Sequence, residues 1–218
     1  MKKYLWLPLT LLVLAFTACS ETDDEENEYS NWKSRNESYF SMMMSIARDS
    51  IALAKEQYGT EWEEHCNWRT YLSYSQQEDT THVTADSVCV QILRRGAGQG
   101  ASPLGTDSVR INYRTLLIPT TEHPTGLVVD HSGLFSSYES VFDRNIASPS
   151  TFKVSALCRG VATALLYMKP GDLWCVYMPA QLAYGTKKQG SIPAHSTLEF
   201  EMDLVDTWPM GTTPTPWH

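Results

Sequence analysis

The 218 residues carry 17 lysines and arginines against 25 aspartates and glutamates, a formal net charge of −8, and 42% of them are apolar. That apolar share supports one domain with a real core plus an appendage, and excludes a chain disordered throughout. The acidic balance is a poor match to nucleic acid, where affinity rests on basic side chains neutralising phosphates.

At the start, Met1-Lys2-Lys3 is followed by an apolar run over residues 5–18 and then Cys19. This is a basic start, a hydrophobic stretch too short to span a bilayer permanently, and a small residue before cysteine. Phe16-Thr17-Ala18-Cys19 resembles a bacterial lipobox, which implies that residues 1–18 are a lipoprotein signal peptide and that Cys19 is acylated as a membrane anchor. The alternative is an ordinary secretory peptide that merely contains Cys19. Loss of Lys2 and Lys3 with the signal takes the charge from −8 to −10. Six of the eight residues 21–28 are acidic, so residues 19–29 read as a solvated, self-repelling tether. Ser20 and the acids after it also resemble the surface-export signal of Bacteroidetes lipoproteins. The expected location is the bacterial cell envelope, lipid-anchored at the outer membrane, on its periplasmic or its outer face.

Residues 30–83 form an N-terminal helical and linker region. Over 30–58 the spacing predicts a helix, with Tyr39, Met43, Ile46 and Leu53 on one stripe and Gly59 as its stop. Such a stripe packs on the domain or pairs with a second copy, giving a homodimer. Residues 61–83 are rich in Trp, Tyr and Thr without clean periodicity, and read as a strand or two in an irregular linker. With Cys19 lipidated, Cys66, Cys89, Cys158 and Cys175 remain, in a compartment that permits disulfides. They allow three complete pairings, or stand as buried free thiols.

Residues 84–208 are the main domain, and 209–218 a tail. The chain turns β-like over 87–93 and is broken by Gly96, Gly98 and Gly100. Val109, Ile111 and Tyr113 alternate with Arg110, Asn112 and Arg114, and Leu198, Phe200, Met202 and Leu204 with Glu199, Glu201 and Asp203, so each strand is expected to bury one face and wet the other. Between them, residues 159–168 read as a single short helix ended by Pro170-Gly171. The fold class is therefore α+β, an antiparallel sheet wrapped around one short helix, preceded by the N-terminal helix.

Three blocks in the last third carry a resemblance: Met168-Lys169-Pro170-Gly171-Asp172, then Leu182-Ala183-Tyr184-Gly185, then Ile192-Pro193-Ala194-His195-Ser196-Thr197-Leu198-Glu199-Phe200. Leu93 with the glycines after it, Val109 to Tyr113, Phe142-Asp143, Thr151-Phe152-Lys153-Val154 and Leu157-Cys158-Arg159-Gly160 add to it in order. Together they resemble the FKBP-type peptidyl-prolyl isomerases. The resemblance implies an FKBP-like sheet and an isomerase acting on proline-containing polypeptides, with no cofactor and no metal. Tyr113, Phe142, Leu157, Ile192 and Phe200 would then wall the proline ring, the Cys158 backbone N–H and the Tyr184 hydroxyl would hold substrate carbonyls, and Asp143 would orient pocket groups. His65, His82, His123, His131 and His195 are scattered, without metal spacing.

Two departures from the family pattern stand out. The tryptophan of the pocket floor is replaced by Val161, which implies a wider, shallower socket. It leaves open a second function, a catalytically weak binding module or chaperone for unfolded or proline-containing segments. Residues 114–141 are an insertion, with Leu116-Leu117-Ile118 and Leu127-Val128-Val129 flanking a turn. It reads as a hairpin beside the pocket, whose Phe135 and Tyr138 replace the missing floor or cover the cleft, or as a decorated surface loop.

Overall fold

The computed structural model describes residues 28–76, 81–97, 100–133 and 148–217. Cys19 and the expected signal peptide lie outside the described residues, as do Phe135, Tyr138, Phe142 and Asp143.

Helix α1 runs over Trp32–Tyr58, 27 residues without glycine or proline, and Gly59 at φ 56 ends it by returning its N–H to the Lys55 carbonyl. A short helix α2, Trp62–His65, turns the chain into strand β1, Trp68–Leu72. Then come β2 Ser87–Arg94, β3 Ser108–Leu117, β4 Val128–His131, β5 Ser150–Lys153, helix α3 Arg159–Leu165, β6 Leu173–Met178 and β7 Leu198–Trp208. Among the described residues every pairing is antiparallel, in the order β1-β2-β6-β7-β3-β4. Strand β3 shares its outer edge between two partners: β5 pairs with Ser108 to Ile111 and β4 with Arg114 to Leu116. The expected hairpin is the β3–β4 turn, with Leu116 opposite Val128.

Strand alternation gives the sheet two cores. Val88, Val90, Ile92, Trp174, Val176, Phe200, Met202 and Leu204 point to the face covered by α3, where Val161, Ala164, Leu165 and Met168 meet them. Cys89, Cys175 and Tyr177 point the other way, onto Phe40, Met43, Met44 and Ala47 of α1. Within residues 61–83, read from sequence as a strand or two in an irregular linker, β1 pairs along β2, and α1 lies against the sheet. Cys66, Cys89, Cys158 and Cys175 are all free thiols.

Two expectations about faces need correcting. On α1, Met43 is buried but Ile46 and Leu53 face water; the docking face is Trp32, Asn36, Phe40, Met43, Met44 and Ala47. It includes a polar and a small residue, which a stripe chosen by hydrophobicity alone passes over. On β3 and β7 the second face is not wet. Arg110 lies under the C-terminal tail, its guanidinium 4.7 Å from the Trp208 ring and 5.5 Å from that of Trp217, and it donates to the Thr215 carbonyl. Arg94 pairs with the buried Asp203 at 3.0 Å and Arg114 with Glu201 at 2.6 Å, while the Tyr39 hydroxyl donates to Glu199 at 2.5 Å.

Burial is the main reason the Glu199 carboxyl is held above the ordinary glutamate value of 4.5; Glu201 adds to it, and the Tyr39 bond and Arg114 oppose it. A carboxyl raised in the folded state binds its proton more tightly there than in the unfolded chain. Wild type therefore gains stability as pH falls from neutral towards 4.5, relative to a variant without that proton site. In urea unfolding between pH 4 and 8, Glu199→Gln should compare best with wild type at neutral pH and lose that relative standing on acidification. A pH-independent difference would remove the buried ionisation as the cause.

Two glycines close the back of the α3 turn. A Cβ at Gly96 would lie 2.5 Å from the Pro170 carbonyl oxygen, and Gly171, at φ 96, has the Gly96 Cα 3.1 Å from where its own Cβ would stand. Asp172 stitches the turn by accepting the N–H groups of Gly96 at 2.6 Å and Lys169 at 2.8 Å. Because the obstructing atom is backbone, Gly96→Ala should cost about 1–3 kcal/mol in chemical denaturation, as other overpacking does.

Candidate active site

Four strands, the start of α3 and the turn after β6 converge on an open cleft of about 370 Å³. Tyr113 enters from β3, Asp130 from β4, Phe152 from β5 and Phe200 from β7; Ala156, Leu157, Cys158 and Val161 come from the entry to α3, and Ala183 and Tyr184 from the turn after β6. Antiparallel register brings the aromatics together. Thr115 pairs with Phe200 and Val109 with Phe152, which sets both rings on the Tyr113 side of the sheet. Tyr113 stacks on Phe200 at 5.1 Å with planes 7° apart and meets Phe152 edge-on at 5.9 Å.

Few polar groups face this cage. The Tyr113 hydroxyl donates to Asp130 Oδ2 at 3.2 Å, and Asp130 Oδ1 accepts the His131 N–H at 2.9 Å. Burial first, then the neighbouring Asp130 carboxylate, push the Tyr113 phenol up to about 12. Tyr184, 41% exposed, is raised too, by burial and by Cys158 and Asp130. Both phenols thus keep their protons at neutral pH, Tyr113 donating to Asp130 and Tyr184 free to donate to a ligand. Burial also raises the Cys158 thiol, against the opposing pull of the Gly160 and Val161 N–H groups, so it is no thiolate nucleophile. The arrangement suits binding an apolar ring and orienting a carbonyl, not covalent attack.

Of the residues singled out from sequence, Tyr113, Leu157, Cys158, Val161, Tyr184 and Phe200 line the cleft. Ile192 does not; it is buried in the core on the α3 side of the sheet. Asp130, Phe152, Ala156 and Ala183 line it without having been singled out. Asp130 had no such signal: a hairpin in plain register from Leu116 and Val128 would set Val129 opposite Thr115, and only a one-residue shift in the β3–β4 ladder puts Asp130 there, diagonal to Tyr113.

Away from the cleft, Glu28, Glu122 and His123 each place one potential ligand atom within 4.8 Å of the others. Thr120 donates to Glu28 at 2.7 Å, and His123 lies 3.9 Å from it, which makes the group a tie between the chain before α1 and the β3–β4 turn.

The FKBP-type peptidyl-prolyl cis-trans isomerase family model matches residues 102–205. The chain is 33% identical over 138 residues to peptidyl-prolyl cis-trans isomerase Mip of Coxiella burnetii, covering 63% of this chain and 52% of that protein. It is 31% identical over 139 residues to the FKBP-type 22 kDa peptidyl-prolyl cis-trans isomerase of Escherichia coli, covering 62% and 57%. It thus spans little more than half the length of these relatives. The crystal structure of FkpA from Escherichia coli superposes with a TM-score of 0.46 at 24% identity, covering 88% of this chain and 75% of that one.

Proposed function

Residues 102–205 belong to the FKBP-type peptidyl-prolyl cis-trans isomerase family, and from that premise we propose that the cleft takes up a proline-containing stretch of polypeptide and speeds rotation about the bond before the proline. The observation that carries this reading is the cage of Tyr113, Phe152 and Phe200 over Val161, with no activated nucleophile beside it among the described residues.

The chemistry asks for little else. The bond resists rotation by about 18–20 kcal/mol because of its conjugation, and spontaneous exchange takes tens to hundreds of seconds. At the twisted transition state conjugation is lost and the amide is less polar, so a water-poor apolar socket binds it better than the planar ground state. In our reading Tyr113, Phe152, Leu157, Val161 and Phe200 grip the ring, and the Tyr184 hydroxyl and the Cys158 N–H each meet a substrate carbonyl. We assign to Asp130, which accepts the Tyr113 hydrogen bond, the orienting role that the family resemblance suggested for Asp143.

We further propose that Cys19 holds the chain at the bacterial envelope through lipid. The lipobox-like residues 16–19 support this, as does a relative 28% identical over 166 residues that is named outer membrane protein MIP, from Legionella longbeachae. A second copy of the chain is the partner we assign to the outer face of α1, where Met42, Ile46 and Leu53 are exposed. Exchange spectroscopy on a proline tetrapeptide tests the central claim. The full-length chain should accelerate cis–trans interconversion in proportion to its concentration, and an unchanged rate with the fold intact would end the proposal.

A further inference from the structure

Resting on this reading of the cleft, we infer that α1 is a positioning element for it, acting through Trp32 and Asn36 on residues 185–197. The Trp32 Nε1–H donates to the Ser196 hydroxyl at 2.9 Å, and Ser196 passes the link on to the Pro193 carbonyl at 2.7 Å. Asn36 anchors its own amide on the Trp32 carbonyl at 2.7 Å and accepts the Thr197 N–H at 2.7 Å, while the Thr197 hydroxyl donates to the Asn36 carbonyl at 3.0 Å. Asn36 is 1% exposed and Thr197 2%, so these bonds form where water cannot replace them and their loss leaves donors orphaned.

Both ends of the clamped segment adjoin residues that line the cleft. Gly185 follows Tyr184, and its carbonyl accepts the His195 N–H at 2.9 Å, next to Ser196 and Thr197 in the clamp. His195 holds φ at 64, a left-handed conformation uncommon outside glycine and one that marks a constrained turn here. Beyond Thr197 the chain enters β7, where Phe200 forms a wall. Between these points the segment is tied by the Gln189–Ile192 bridge, the Lys187 N–H to the Tyr184 carbonyl at 3.4 Å, the Ser191 hydroxyl to the Val129 carbonyl at 3.5 Å and the buried Ile192 side chain. The clamp therefore governs how Tyr184 stands relative to Phe200, although neither Trp32 nor Asn36 lines the cleft.

Asn36→Leu keeps the bulk of the side chain and removes both amide bonds, and Trp32→Phe removes only the indole donor. In the full-length chain, well below its unfolding temperature, Asn36→Leu should lower kcat about ten-fold for a proline tetrapeptide, the effect of about 1.4 kcal/mol. Binding of the peptide, read by NMR titration, should change less than two-fold. Amide hydrogen exchange should quicken over 185–197 and not in β2 or β6. Trp32→Phe should show the same pattern more weakly. A wild-type rate in Asn36→Leu, or a loss matched only by a smaller folded fraction, would overturn the inference. Should wild type itself fail to accelerate exchange, the reading of the cleft falls while the clamp is still judged by hydrogen exchange: unchanged protection over 185–197 in Asn36→Leu would overturn it.

Discussion

Phe200→Ala should lower kcat/KM for a proline tetrapeptide about 100-fold. The ring stacks on Tyr113 at 5.1 Å and forms a wall of the cleft. Its contribution to a bound proline combines apolar burial of about 1.5–3 kcal/mol with a geometric aromatic increment of about 0.5–1.5 kcal/mol, and each 1.36 kcal/mol is ten-fold in rate. Losing the ring also removes the face against which Tyr113 rests, so the phenol that bonds Asp130 loses its alignment. The same substitution empties a buried site and should cost about 3–5 kcal/mol of stability. Phe200→Leu separates the two effects: it retains most of the volume, should remain folded by circular dichroism, and should still lose about ten-fold because no flat face remains. If Phe200→Leu turns over like wild type, the stacked pair does not grip the substrate.

Val161→Trp should act in the opposite direction. Val161 is 1% exposed yet borders the open cleft, at the position where the family resemblance expects an aromatic floor. An indole turned into that space would meet the proline ring along its whole underside and should raise kcat/KM about ten-fold, equivalent to about 1.4 kcal/mol. Crowding beneath the cleft should cost about 1–3 kcal/mol of stability, measurable by urea unfolding. The pair of measurements separates an isomerase from a binding module on the same fold. Slow wild type with a gain in the variant identifies a cleft built for holding segments, whereas fast wild type with no gain means that the valine floor already fits the ring.

The cleft and the helix also make different demands on assembly. α1 turns one face to the sheet through Phe40, Met43, Met44 and Ala47 and leaves Met42, Ile46 and Leu53 outside. A partner on the outer face would load the same rod that holds Ser196 and Thr197. Association and turnover are thus expected to be coupled, because a rigid helix transmits a displacement from one face to the other.

Much of this was legible in the residues alone, for a physical reason. Two-residue alternation marks a strand, and a Pro-Gly pair ends a short helix, so β3, β7 and α3 appear where local chemistry puts them. The motif blocks likewise identified six residues that share one cleft, Tyr113, Leu157, Cys158, Val161, Tyr184 and Phe200. Which face is buried is not local. Alternation reports that two faces differ, but only packing shows that α1 and the tail cover the charged one, sealing Arg110 and Asp203 inside. Pair register is also a tertiary decision: Asp130 reaches Tyr113 because the β3–β4 ladder shifts by one residue between the Leu116–Val128 and Thr115–Asp130 pairs, and without that shift its carboxylate would lie on the other side of the sheet. Ile192 joined the core and Asn36 the clamp for the same reason: the neighbours that settle a side chain's surroundings stand far away in sequence, 161 residues away for Asn36 and Thr197.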